Sequence, residues 1–116
     1  MAYKDCNYYS KLAELTEQYL EREEISKEEL LAKSTQILDE ELSGAGCDWL
    51  AHHFNSSAEY MADNICCGDG MDKTEFDLYR KYAELEIGVF RKHGFRSEAD
   101  FLQKMLDDAV EAYTQV

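Results

Sequence analysis

Apolar residues recur every three to four positions along most of the chain. In the first such run, Tyr8, Leu12, Leu15 and Tyr19 stand at i, i+4, i+7 and i+11, which places them on one face of a helix. We therefore expect an amphipathic helix from about residue 5 to residue 23, with this face in the core.

Three later helices are indicated by capping signatures, in which a Ser or Asp side chain is followed three residues later by Glu. The three pairs are Ser26 with Glu29, Ser56 with Glu59, and Asp72 with Glu75. The first pair opens a helix that ends at Gly44. The residues expected on its inner side are Leu31, Ser34, Ile37, Leu38 and Leu42.

A long helix is predicted over residues 73–93, ending near His93 and Gly94. Its polar strip is narrow, so it is expected to be the most buried element; the strip consists of Asp77, Arg80, Lys81 and Glu84. Ser97 is expected to cap a last helix. Its inward residues are predicted to be Phe101, Leu102, Met105, Leu106, Ala109 and Tyr113.

No stretch alternates polar and apolar residues with the period of a strand, and the chain contains no Pro. The predicted fold class is therefore all-α, a compact bundle of about five helices. Residues 1–116 are expected to form a single acidic helical domain. Short elements over residues 48–66, including a brief helix near 49–54, are expected to act as a lid.

The net negative charge of the chain excludes several classes of function. The chain has 25 Asp and Glu against 12 Lys and Arg, a formal net charge of -13. This excess opposes direct binding to nucleic acid or anionic lipid, because both require cationic side chains. The N-terminal residues are polar and no apolar run approaches the roughly 20 residues that span a bilayer. The expected location is cytoplasmic, away from membranes.

A row of acids on the first predicted helix is the most unusual feature of the sequence. Glu14, Glu17, Glu21 and Glu24 are spaced by three or four residues, and Glu28 follows. Like charges at this spacing cost an isolated helix about 0.2–0.5 kcal/mol per adjacent pair. The row therefore suggests selection for contact with a basic partner, although a solvated face that keeps the domain soluble is the alternative.

The function expected from these features is an acidic protein-binding inhibitor with no enzymatic activity. Its carboxylates would stand where the phosphates of DNA or RNA stand, and so block a nuclease or a CRISPR effector, as anti-defence proteins of phages and mobile elements do. The expected contact residues are Glu14, Glu17, Glu21, Glu24 and Glu28, with Tyr9 as an exposed anchor. An immunity protein or antitoxin that neutralises a basic toxin is the alternative.

The cysteines are expected to be reduced thiols, and no cofactor or metal is predicted. A zinc site remains the other alternative, with Cys47, His52, Cys66 and Cys67 as candidate ligands because thiolate and imidazole suit zinc. Paired C-x-x-C knuckles are absent, and Cys66 and Cys67 are adjacent, which disfavours such a site. A catalytic Cys47–His52 pair lacks a third, orienting residue.

Overall fold

The structure is a computed structural model that describes residues 8–44, 56–66, 68 and 70–114, without the side chains of Tyr9 and Cys66. The helices in these ranges are α1 (Tyr8–Leu20), α2 (Lys27–Gly44), α3 (Ser57–Cys66), α4 (Lys73–Lys92) and α5 (Arg96–Thr114). Because no strand occurs in the same ranges, the predicted all-α class is confirmed. The brief helix predicted near 49–54 lies outside the described residues.

The three predicted capping residues begin the helices that the sequence assigned to them. In each case the side chain of the cap accepts a hydrogen bond from the backbone N–H three residues later, which satisfies a donor that the helix leaves free. The donor–acceptor distances are 3.1 Å for Glu29 to Ser26, 3.0 Å for Glu59 to Ser56 and 2.8 Å for Glu75 to Asp72.

Two helix boundaries differ from prediction. The first helix ends at Leu20 instead of residue 23, and Glu23 then adopts a positive φ of 53°. The last helix already begins at Arg96, so Ser97 lies inside its first turn and does not cap it. The end predicted for α4 is confirmed, since Gly94 follows it with φ 85°, a conformation that glycine adopts without steric cost.

The chain divides into two compact units, residues 1–54 with α1 and α2, and residues 55–116 with α3, α4 and α5. The assignment of residues 1–116 to one domain stays a prediction. In the first unit α1 packs against α2. Their buried apolar residues are Tyr8, Leu12, Leu15, Leu30, Leu38 and Leu42. Ser34 is also fully buried, and its hydroxyl donates to the Leu30 carbonyl at 2.8 Å, so the core contains no unpaired hydroxyl there.

In the second unit each of α3, α4 and α5 packs against the other two. Of the helices described, α4 contributes the most buried residues, as predicted: Phe76, Leu78, Tyr82, Ala83, Glu86, Ile87, Val89 and Phe90. The ring of Phe76 stacks on that of Tyr113 from α5, with centroids 3.8 Å apart. An aromatic core therefore joins these helices.

Two core expectations in the second unit are wrong. Phe101 was predicted to point inward but is 64% exposed, because the buried stripe of α5 runs through Ala99, Leu102, Leu106 and Ala109. Residues 57–66 were expected to belong to a lid. They form α3 instead, whose Met61 is fully buried and which packs on both neighbouring helices.

No helix within the described ranges combines the length and the apolar character needed to cross a membrane.

Candidate functional site

Three of the acids singled out by the sequence share one face of α1. Glu14, Glu17 and Glu21 are all exposed. Glu21 lies one residue beyond the helix, but its N–H donates to the Glu17 carbonyl at 2.9 Å and so continues the helical register. With a rise of about 1.5 Å per residue, the three carboxylates follow the helix axis over roughly 10 Å.

The other two predicted contact acids lie after the end of α1. The expectation that Glu24 belongs to the helical row is wrong because α1 ends at Leu20. Glu24 remains close to the helix, since its N–H donates to the Gln18 carbonyl at 2.8 Å. Glu28 lies in the first turn of α2, where the partial positive charge of the helix N-terminus favours a carboxylate.

We call Glu14, Glu17, Glu21, Glu24 and Glu28 the acidic set; all are exposed. Only Glu17 forms an ion pair with a described residue, Arg22, at 3.3 Å. Both partners are about half exposed, and exposed pairs of this kind contribute little to stability. Most of the negative charge of the acidic set is therefore uncompensated in the part of the chain that the structure describes.

An exposed apolar side chain lies within the same stretch of sequence as these carboxylates. Leu20, the last residue of α1, is 41% exposed, and both Tyr19 before it and Ile25 after it are half-buried. An apolar centre with a charged rim is the usual composition of a protein–protein contact surface. Sequence analysis did not identify Leu20, and the side chain of Tyr9, the predicted anchor, lies outside the described residues.

The second unit contains a buried carboxylate that sequence analysis missed. Glu86 on α4 is 0% exposed and binds the first residue of α3. The Ser57 N–H donates to Glu86 Oε1 at 2.8 Å, and the Ser57 hydroxyl donates to Oε2 at 2.5 Å. Since a carboxylate at a helix N-terminus satisfies free N–H groups and interacts favourably with the helix dipole, Glu86 serves the fold.

Another buried carboxylate, Glu41, lies in the first unit. It is 7% exposed, on the same helix as the buried Leu38 and Leu42. Its Oε2 atom has no hydrogen-bond partner among the described residues. Glu41 thus differs from Glu86, whose two oxygens both accept hydrogen bonds.

A tyrosine cluster links α3 and α4. Tyr60 is 42% exposed, and its ring stacks on that of Tyr79 with centroids 4.6 Å apart. The Tyr60 hydroxyl donates to Glu75 Oε1 at 3.2 Å. Tyr79 in turn meets the buried Tyr82 edge-on at 5.3 Å. The cluster therefore runs from the surface into the core.

Burial and negative charge make these phenols hard to ionise. Burial, together with the neighbouring Tyr60, Glu75 and Glu86, raises the pKa of Tyr79 to about 12. Burial also raises the pKa of Tyr60, with Glu75 contributing. Both side chains are thus neutral hydrogen-bond donors at neutral pH.

The described residues do not include the side chains of the candidate zinc ligands. Cys47, His52 and Cys67 lie outside the described residues, as does the side chain of Cys66, although the backbone of Cys66 ends α3. Elsewhere in the described ranges, no three His, Cys, Asp or Glu side chains are grouped so as to hold a metal ion. The zinc alternative therefore stays a prediction.

A groove of about 540 Å³ lies between α4 and α5 in the second unit, with Leu106 and Val110 among its lining residues. Two of its charged groups form an ion pair, Arg80 with Glu84 at 3.4 Å, and the neutral Gln103 amide donates a hydrogen bond to Asp107 at 3.0 Å. The groove offers fewer uncompensated charges than the acidic set, which remains the better candidate for a contact surface.

No protein-family model matches the chain, and no curated protein or solved structure matches it either.

Proposed function

We propose that this protein is an acidic inhibitor that binds the basic surface of a nucleic-acid-binding protein, such as a nuclease or a CRISPR effector. The proposal rests on the acidic set itself: five exposed carboxylates within residues 14–28, only one of them in an ion pair with a described residue, together with the exposed Leu20 in the same stretch of sequence. The protein would act in the cytoplasm, as a phage or mobile-element product does.

The physical basis is charge complementarity. Surfaces that bind DNA or RNA carry Lys and Arg to contact phosphates. A rigid helix face with carboxylates attracts the same side chains, speeds the encounter and excludes partners of like charge. Leu20, which is 41% exposed, adds apolar contact area.

The acidic set does little for the fold, which favours a role in recognition. Glu17 and Glu21 stand four residues apart, a spacing at which like charges destabilise a helix. Only Glu28, in the first turn of α2, has a position in which its charge stabilises its own helix.

The test is a charge reversal with a matched control. Glu17→Lys/Glu21→Lys changes the net charge by four and breaks one exposed ion pair, Glu17 with Arg22. Asp63→Lys/Asp108→Lys changes it by the same amount and breaks one exposed pair in the second unit, Asp108 with Lys104. Purified nucleases and CRISPR effectors are assayed for DNA cleavage and for binding of labelled DNA in the presence of each protein.

We expect the unaltered protein to inhibit at least one of these enzymes and to displace its DNA, with a loss of affinity as salt rises. The Glu17/Glu21 variant should lose this inhibition by at least about tenfold, whereas the Asp63/Asp108 variant should retain it. Equal loss in both variants would show that only net charge matters and would contradict the proposed site. Inhibition of an enzyme whose DNA stays bound would favour the immunity-protein alternative, and inhibition of none would overturn the proposal.

A further inference from the structure

The exposed end of the tyrosine cluster combines an aromatic ring with a carboxylate. The Tyr79 ring stacks against one face of the Tyr60 ring, and 42% of Tyr60 remains exposed to solvent. Glu75 lies beside this ring, joined to it by the hydrogen bond from the Tyr60 hydroxyl at 3.2 Å. The two side chains come from different helices, α3 and α4, which fix their separation.

Within the described part of the chain, the charge of Glu75 interacts with the N-terminus of α4, in whose first turn it lies, but with no cationic side chain. No ion pair there includes Glu75, and the nearby Lys73 pairs with Asp77 at 2.9 Å. Among the described residues, the Glu75 side chain accepts its hydrogen bond from a neutral phenol, through Oε1. A carboxylate that is half-buried, held in place and short of a cation is well prepared to accept one from outside.

We propose that Tyr60 and Glu75 form a binding site for the guanidinium group of an arginine on a partner protein. A guanidinium is planar and weakly hydrated, so it stacks on an aromatic face while its N–H groups donate to a carboxylate. Tyr79 supports the ring from behind, which keeps it from turning away. The site lies in the second unit and is separate in sequence from the acidic set of the first.

The geometry favours arginine over other cations. An ammonium from lysine is a compact, strongly hydrated charge that gains less from stacking. A quaternary or methylated ammonium is typically held by several rings around it. Here Tyr60 is the exposed ring of the cluster, while Tyr82 is fully buried. A flat cation that needs one ring face and one carboxylate fits this arrangement.

The partner chemistry rests on the proposed function, which also calls for a basic protein, but the site can be tested without any partner. The probe is the capped tripeptide acetyl-Gly-Arg-Gly-amide, titrated into the full chain labelled with ¹⁵N and followed by NMR. The comparison probe is acetyl-Gly-Lys-Gly-amide, which carries the same charge. Circular dichroism of each variant confirms that the helices are retained.

We expect the arginine peptide to shift the signals of Tyr60 and Glu75 and to bind more tightly than the lysine peptide. Glu75→Gln should lower its affinity by about tenfold or more, because a hydrogen bond to a charged group is lost. Tyr60→Leu should lower it by about two- to fivefold, the usual effect of an exposed cation–π contact, and Tyr60→Phe should retain most of the affinity. Asp108→Asn, which removes one exposed charge elsewhere, should change nothing.

Equal binding of the two peptides, unchanged affinity in Glu75→Gln, or signal shifts confined to Glu14, Glu17 and Glu21 would each overturn this site. Those outcomes do not affect the conclusion from the nuclease assay, because that assay tests the acidic set. Conversely, specific arginine binding at Tyr60 and Glu75 together with no inhibition of any nuclease would keep the site and reject the proposed function.

Discussion

The first and second units differ in how many of their exposed acidic residues form ion pairs. Among the residues described, the ion pairs of the first unit are Glu17 with Arg22 and Glu29 with Lys33, and Glu14, Glu21, Glu24 and Glu28 have none. The second unit has more pairs, four of them within single helices: Lys73–Asp77, Arg80–Glu84, Lys81–Glu84, Lys104–Asp108 and Arg91–Asp100. Acids that are neutralised locally support the helices that carry them, whereas acids without such partners are available to another molecule.

The interiors differ as well. The second unit has an aromatic core and a buried carboxylate with both oxygens hydrogen-bonded. The buried carboxylate of the first unit, Glu41, keeps one oxygen without a partner among the described residues. Among the described residues, the buried carboxylate of the second unit is therefore more completely hydrogen-bonded than that of the first.

Removing the Glu86 carboxylate should have the largest effect on stability. Glu86→Ala leaves the Ser57 N–H and hydroxyl without their acceptor and opens a cavity, so we expect a loss of about 3–5 kcal/mol in the free energy of unfolding. Urea denaturation measures it. The control is Glu84→Ala, two residues earlier on the exposed side of α4, which should lower the free energy of unfolding by less than about 1 kcal/mol. Similar losses in both variants would show that Glu86 is not a structural cap.

High pH should weaken the second unit through Tyr79. Its pKa is about 12 in the folded chain against 10.0 for an ordinary phenol. From pH 10 to 12 the unfolded chain releases this proton and the folded chain retains it, so the free energy of unfolding falls as pH rises, with the full contribution present below pH 10. Tyr79→Phe should reduce this slope. An unchanged slope would mean that other groups cause it.

Charge reversals should have the smallest effects, and opposite signs in the two units. Glu21→Lys relieves repulsion with Glu17 and puts a cation at the C-terminus of α1, a gain of about 0.3–1 kcal/mol. Asp108→Lys removes the pair with Lys104, 3.1 Å apart, and places like charges there, a loss of about 0.2–0.5 kcal/mol. Thermal unfolding at low and high salt measures both, and the difference should shrink at high salt. A change in stability of the same sign in both variants would contradict the proposed difference in surface charge between the two units.

Three helix starts were predictable from sequence because their signals are local, whereas the cap predicted at Ser97 for the last helix was wrong. Ser26, Ser56 and Asp72 each act on a backbone N–H only three residues away, so the pattern contains the whole interaction. The end of α1 was not predictable in this way. No Gly or Pro marks it, and Glu23 takes up a positive φ that its residue type does not indicate.

The burial of two side chains, Phe101 and Glu86, was not predicted correctly from sequence. Phe101 was predicted to point inward with Leu102 and Leu106, yet it lies next to the buried stripe of α5 and not on it. Glu86 was overlooked because it is charged, although it stands four residues after Tyr82 and four before Phe90, on the buried face of α4. The partner of that carboxylate is 29 residues away in the sequence, so no local pattern could have revealed it.

The bond between Glu86 and Ser57 also bears on the order in which the second unit folds. α3 has only 10 residues, and isolated helices of that length are marginal in water. Part of its N-terminal hydrogen bonding is supplied by a side chain that arrives only when α4 has formed and docked. We therefore expect α3 to become helical late and together with its neighbours, which makes folding of this unit cooperative.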